Sequence, residues 1–206
     1  MQSNYAMLNN DGLFSFAFIR AHLPPIKNPD SLLPTITSYA TLAHTMSETT
    51  LHISITTQRL QLREGNRVRH EYSISTALNG AGEADGSGCT PRGWHAIRIK
   101  IGAGCAPDTV FVGRRPTGEI YTPELRAQFP DRDWILTRIL WLSGCEPGCN
   151  RGGMVDTLRR YIYIHGSPDD VPMGTAGSHG CIRMRNADII ELFDHVTAGQ
   201  RVLIED

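Results

Sequence analysis

The chain has 206 residues, 40% of them hydrophobic and 20% charged, with a formal net charge of −1. That length and apolar content predict one folded domain rather than a disordered chain, and the near-neutral charge excludes a general nucleic-acid binder. Arginine supplies all but two of the twenty basic residues, Lys27 and Lys100 being the lysines, and arginine favours planar contacts with carboxylates and phosphates.

Residues 1–45 hold Pro24, Pro25 and Pro34 among scattered Asn and Ser, with no sustained period. They are expected to form a weakly ordered N-terminal tail. Met46 then opens a stretch of strand-like alternation and is an alternative start of the protein. Leu51, Ile53 and Ile55 alternate with polar residues; Leu60 and Leu62 follow, then Gly65-Asn66, then 68–75. The runs flanking Gly65-Asn66 read as a hairpin. Residues 77–93 read as a glycine-rich loop, and 94–99 and 109–112 as further strands. Residues 120–133 are expected to be irregular or loosely helical, and the apolar run 134–142 is ambiguous. Residues 143–153 form a Gly- and Cys-containing loop, and 160–164, RYIYI, predicts a strand that ends at His165. Asn186 is a candidate cap for a helix presenting Ile189, Leu192, Phe193 and Val196 on one face, with Gly199 beyond its end. A last strand is expected over 202–204. The fold class that results is mostly β, with a minor helical part.

The five cysteines, Cys89, Cys105, Cys145, Cys149 and Cys181, are an odd number in a mid-sized chain, which predicts free thiols in a reducing compartment. No apolar run approaches the ~20 residues of a spanning helix. The apolar stretch 12–19, GLFSFAFI, follows no Lys or Arg and lacks a small-residue cleavage site, so no ordinary export signal is expected. Cytoplasmic placement follows, with a periplasmic one as the alternative.

The residues that carry chemistry crowd into 161–185, YIYIHGSPDDVPMGTAGSHGCIRMR. At neutral pH a thiol needs a base to become a strong nucleophile, and an imidazole can take its proton. His165 and Cys181 are candidates for that pair, with Cys181 expected to alkylate faster than Cys89 or Cys105. Gly180 lets the backbone turn before Cys181, and N–H groups around Gly180 and Cys181 can face a developing oxyanion. Arg183, two residues on, shares an extended face with Cys181 and can fork onto a substrate carboxylate. The same residues also suit a small buried Cys, an ordinary hydrogen-bonded His, or part of a zinc site. Cys145 and Cys149, a CxxxC pair, are half of a zinc site at most. His95 reads as structural or as a pocket wall. Asp169 and Asp170 read as a solvated loop or as groups that orient His165. Trp134 and Trp141 read as packing residues. No phosphate-binding glycine loop occurs.

His165-Gly166, a loop, then Ser178-His179-Gly180-Cys181-Ile182-Arg183-Met184 resembles the signature of the L,D-transpeptidase (YkuD) catalytic domain. Thr90-Pro91-Arg92-Gly93, Asn150-Arg151-Gly152-Gly153 and residues 156–166 are similar to further elements of that family. The resemblance covers about residues 50–205 and implies a catalytic domain over 46–206, a β-sandwich with one short helix after the catalytic Cys. It implies Cys181 as the nucleophile, His165 as the base and later the acid, and His179 and Gly180 as pocket and oxyanion residues. Ser178 then supports that arrangement, and Arg183 holds the site together or meets substrate. The implied reaction is acyl transfer at the meso-diaminopimelate–D-Ala bond of peptidoglycan-derived stem peptides, with no metal or organic cofactor, nucleic acid or membrane segment involved. The acceptor is an amine, as in a transpeptidase, or water, as in the family's cytoplasmic L,D-carboxypeptidases. The other readings are a non-enzymatic muropeptide-binding module on the same fold and a zinc-binding protein using Cys145 and Cys149.

Overall fold

A computed structural model describes residues 49–206; the expected tail, the Met46 start and the apolar stretch 12–19 lie outside the described residues. Alternation beginning at Leu51 builds β1 (Thr49–Ser54), which pairs antiparallel with β2 (Arg59–Glu64). Gly65, at φ +56, turns the chain into β3 (Arg67–Ser73). The expected hairpin therefore forms as β2 and β3.

β4 (Gly93–Ile101), β5 (Thr109–Val112), β6 (Arg115–Ile120) and β7 (Ile135–Gly144) follow. Between β6 and β7 lies a short helix, α1 (Pro123–Gln128), capped by the Thr122 hydroxyl, which accepts from the Leu125 N–H. Then come β8 (Tyr163–Ser167), β9 (Ile182–Arg185), α2 (Asn186–His195) and β10 (Arg201–Glu205). The strands run β3-β2-β1-β10-β4-β7-β5-β6, and β8 branches from β7 to carry β9. Beyond β3 the chain continues against β9: the Ser75 N–H donates to the Arg183 carbonyl and the Arg183 N–H to the Ser75 carbonyl, both at 2.9 Å. The sheet thus curls over on itself.

The two sides of the curl meet in one core. Leu51, Ile53 and Leu60 from the hairpin side pack in the same cluster as Ile164, Ile182 and Met184 from β8 and β9. Ile189, Leu192, Phe193 and Val196 close it from α2, as their helical spacing predicts. Each such side chain contributes about 1.5–3 kcal/mol by leaving water. Lys100 secures the end of α2 by donating to the carbonyls of Phe193 at 2.5 Å and Val196 at 2.6 Å, the carbonyls a helix leaves unpaired. The mostly β, sandwich-like fold with a short helix after Cys181 is the expected one.

Three local expectations are corrected. His165 lies in the middle of β8, not at a strand end, because residues 157–161 turn and Tyr161 takes φ +56. Asn186 is the first residue of α2 rather than its cap: Arg185 takes the cap position, and the Asn186 amide is used elsewhere. The ambiguous run 134–142 is mostly β7, the branching strand. Among the described residues no helix is long and apolar enough to cross a membrane.

Candidate active site

β8 and β9 run parallel, with Ile164 opposite Ile182 and His165 opposite Arg183. Ile164 and Ile182 point into the core, so alternation puts His165 and Arg183 together on the other face. Cys181, just before β9, joins that face and packs with Tyr163. Parallel pairing thus unites residues sixteen apart in sequence.

The hydrogen bonds of His165 define its tautomer. Nδ1 lies 2.8 Å from the Gly166 carbonyl oxygen. A carbonyl only accepts, so Nδ1 carries the proton and the neutral ring keeps its lone pair on Nε2. His165 is fully buried, and Nε2 has no hydrogen-bond partner among the described residues. Burial holds the imidazole below its ordinary pKa, against the opposing pull of Asp133 and the Gly166 carbonyl. The Gly166 carbonyl, not Asp169 or Asp170, orients this ring; both aspartates are exposed, and Asp170 pairs with Arg126 at 2.5 Å.

Cys181 is half-buried. Its Sγ accepts from the Tyr163 N–H at 3.3 Å and donates to the Tyr161 carbonyl at 3.4 Å. Burial pushes the thiol up to about 12, only partly offset by the Tyr163 N–H. Both shifts favour the uncharged pair, a thiol beside a neutral imidazole. The expected enrichment in thiolate, and with it the expected fast alkylation of Cys181, is therefore opposed by the structure.

The turn before Cys181 is braced on every side. The Ser178 hydroxyl donates to the Cys181 carbonyl at 2.5 Å and accepts from the Gly180 N–H at 3.2 Å. That N–H, expected to face an oxyanion, is held by Ser178 in the resting structure. Gly180 sits at φ +133, where an added Cβ would lie 3.2 Å from Ile162 Cδ1 and 3.3 Å from the Cys89 carbonyl oxygen, so glycine fits for conformation and for space. Gly166 answers to space alone: a Cβ there would meet the Asn186 side chain and the Leu136 carbonyl. Asn186 accepts from the Thr137 hydroxyl at 2.6 Å and donates to Asp108 at 2.7 Å, which ties the start of α2 to the bulge in β7 beside His165.

Arg183 donates to the Gly177 carbonyl and to Asp133, each at 2.9 Å. It clamps the loop before the SHGC turn and holds Asp133 close enough to act on both His165 and Cys181. His179 is exposed. His95 is buried, with Nδ1 2.9 Å from the Gly93 carbonyl and Nε2 3.1 Å from the Thr157 hydroxyl, the structural alternative for it.

Several residues of this region have contacts that the sequence did not assign to them. Thr90 holds the turn by donating to the Gly180 carbonyl at 2.9 Å. Arg160 ties down the 82–89 loop through the carbonyls of Gly82, Glu83 and Cys89. Arg114 lies over Trp141 at 4.6 Å and Tyr161 at 4.8 Å, and donates to the Tyr163 hydroxyl at 3.2 Å, forming a cationic–aromatic wall beside Cys181. Trp134 is buried with Val110 and Leu136. A cavity of about 80 Å³ reaches Asp133 and Arg183, while a larger one of about 730 Å³ lies against α1 and touches neither Cys181 nor His165. Cys145 and Cys149 are exposed free thiols, and no cluster of three ligating side chains among the described residues includes them.

Known proteins resemble this chain in sequence and fold. The L,D-transpeptidase catalytic domain family (YkuD) matches over residues 48–204. The "Probable L,D-transpeptidase ErfK/SrfK" of Escherichia coli (strain K12) is 49% identical over 85 residues, 41% of this chain and 26% of that protein. The "Probable L,D-transpeptidase YbiS" of the same strain is 31% identical over 100 residues, 48% of this chain and 32% of that protein. The match thus spans a third or less of these relatives' length. The crystal structure of the L,D-transpeptidase (residues 123–326) from Xylanimonas cellulosilytica DSM 15894 shares the fold. It has a TM-score of 0.50 at 22% identity and covers 78% of this chain and 62% of that one. With the family match spanning most of its length, the chain belongs to the L,D-transpeptidase (YkuD) catalytic domain family.

Proposed function

We propose that this chain catalyses acyl transfer at the meso-diaminopimelate–D-Ala bond of peptidoglycan stem peptides, through an acyl-enzyme on Cys181. The observation that carries the reading is the buried Nε2 lone pair of His165, unpartnered among the described residues and on the same sheet face as the Cys181 thiol. A pure binding module has no use for that pairing.

The steps follow from the neutral pair. The thiol turns from the Tyr161 carbonyl toward Nε2; catalytic hydrogen bonds are often loose before substrate arrives. As sulfur attacks the carbonyl carbon, Nε2 takes the thiol proton, so charge appears only while the bond forms. The N–H groups of the SHGC turn face the developing oxyanion, with the Gly180 N–H leaving Ser178 to do so. The imidazolium then gives its proton to the departing D-Ala amine, and a thioester remains. An amine or water enters by the reverse sequence: His165 takes its proton, the thioester breaks, and the thiol is restored. The Asp133 carboxylate steadies the imidazolium, and Arg183 keeps Asp133 in place. No metal or organic cofactor enters these steps.

The reaction is tested by mass spectrometry of purified protein with a tetrapeptide ending in diaminopimelate–D-Ala and excess D-Met. Tripeptide alone identifies water as the acceptor; a D-Met adduct identifies an amine. An unchanged tetrapeptide contradicts the proposal.

A further inference from the structure

A second group of chemically competent side chains lies at the β3 edge of the sheet. His70 of β3 meets Glu191 and His195 of α2, and one ligand atom from each lies within 4.8 Å of the other two. His70 Nδ1 is 3.1 Å from Glu191 Oε1, and the His70 and His195 rings are 4.4 Å apart. Glu191 and His195 are four residues apart on α2, so they share one helix face. The acyl-transfer steps use none of the three.

We propose that His70, Glu191 and His195 bind one divalent late first-row transition ion, Zn²⁺ being the probe. The donor set selects this class. Two imidazole nitrogens with one carboxylate suit Zn²⁺, Ni²⁺ or Cu²⁺, whereas Ca²⁺ and Mg²⁺ take oxygen ligands. Atoms bound to a common ion at about 2.0–2.2 Å lie about 3–4 Å from one another. The His70–Glu191 pair is already at such a distance, and the three ligand atoms all lie within 4.8 Å of one another. Glu191 and His195 are exposed and His70 is half-buried, so small side-chain rotations close the set without moving the backbone. Three protein ligands leave a tetrahedral ion one position for water.

Two neighbours suit the site. Tyr72 stacks on His70 with ring centroids 6.2 Å apart, and its buried hydroxyl lies beside the Glu191 carboxylate. A carboxylate drawn toward an ion is commonly held by such a donor. His195 is the last residue of α2, so the ion sits at the helix end that favours positive charge. Bound there, it clips α2 to an edge strand and stabilises the folded chain in proportion to its free concentration. The site goes beyond the acyl-transfer reading and stands whether or not that reading holds.

The test is calorimetric titration of the full chain with ZnCl₂, paired with thermal unfolding with and without the ion. Wild type is expected to bind one equivalent and to unfold at a higher temperature with Zn²⁺ present. His195→Ala and Glu191→Gln, both at exposed positions, are expected to weaken binding more than about tenfold and to abolish the thermal shift. The double variant Cys145→Ser, Cys149→Ser is expected to bind as wild type does. Absence of saturable binding overturns the site. So does binding that survives His195→Ala, or that disappears only with the two cysteines.

Discussion

The Thr90 hydroxyl donates to the Gly180 carbonyl at 2.9 Å and accepts from the Ala77 N–H at 3.0 Å. One buried oxygen thereby ties three stretches of chain together at the turn that presents Cys181. Thr90→Val keeps the shape and removes the hydroxyl, leaving a buried donor and a buried acceptor unpaired. The expected loss is about 1–3 kcal/mol of stability, seen as a lower urea midpoint. Turnover should fall further than stability does, and Thr90→Ser should restore most of both. Turnover unchanged in Thr90→Val would show that the turn needs no such tie.

Gly180→Ala should be worse than an ordinary loop substitution. The position combines φ +133 with neighbours 3.2 and 3.3 Å from any Cβ. Strain of about 1–3 kcal/mol is expected, together with loss of activity, because the turn must shift to relieve it. A variant with wild-type urea midpoint and turnover would mean that the turn is not held as described.

The thiol should not behave as an activated thiolate at rest. Burial raises Cys181 to about 12, whereas Cys145 stands exposed. Iodoacetamide at neutral pH is expected to label Cys145 before Cys181, as read by peptide mass mapping. Preferential labelling of Cys181 would point to a resting ion pair instead of base-assisted attack.

Acid should unfold the protein partly through its buried histidines. Burial lowers His95 from 6.5 to about 4 and lowers His165 as well. Both rings stay neutral in the fold while the unfolded chain takes up protons, so stability is complete above the ordinary histidine value and falls as pH drops below it. For His95 the loss runs between about pH 6.5 and 4 and approaches about 3 kcal/mol. His95→Gln should flatten the slope of urea midpoint against pH in that interval. The depressed His165 also keeps its Nε2 lone pair below pH 6.5, so the acid limb of turnover should fall below the ordinary histidine value.

How far the sequence reveals this arrangement differs from element to element. The β2–β3 hairpin and the apolar face of α2 are legible because one side of each meets the core and alternation or helical spacing records it. β7 is not, because it is central and its apolar residues fall on both faces around Thr137-Arg138, so the run shows no clean alternation and suits helix or strand. β6 escapes notice because an exposed edge strand, RPTGEI, needs no apolar pattern and tolerates Pro and Gly. Within the site, His165 and the SHGC turn are legible as local strings. Asp133, Arg160 and the bond from Thr90 to Gly180 are not, since each works by contact between distant segments. Asn186 shows the limit of a local rule: its type suits a cap, yet the bulge in β7 claims its amide.

Intact-protein and peptide mass spectrometry of a brief reaction with the diaminopimelate–D-Ala tetrapeptide tests the proposed mechanism most directly. An adduct equal to the peptide less D-Ala is expected on the fragment bearing Cys181. It should be absent in Cys181→Ser and in His165→Gln, whose D-Ala release should fall by about a thousandfold or more. Release of D-Ala at the wild-type rate by Cys181→Ser, or an adduct on another cysteine, would contradict Cys181 as the nucleophile.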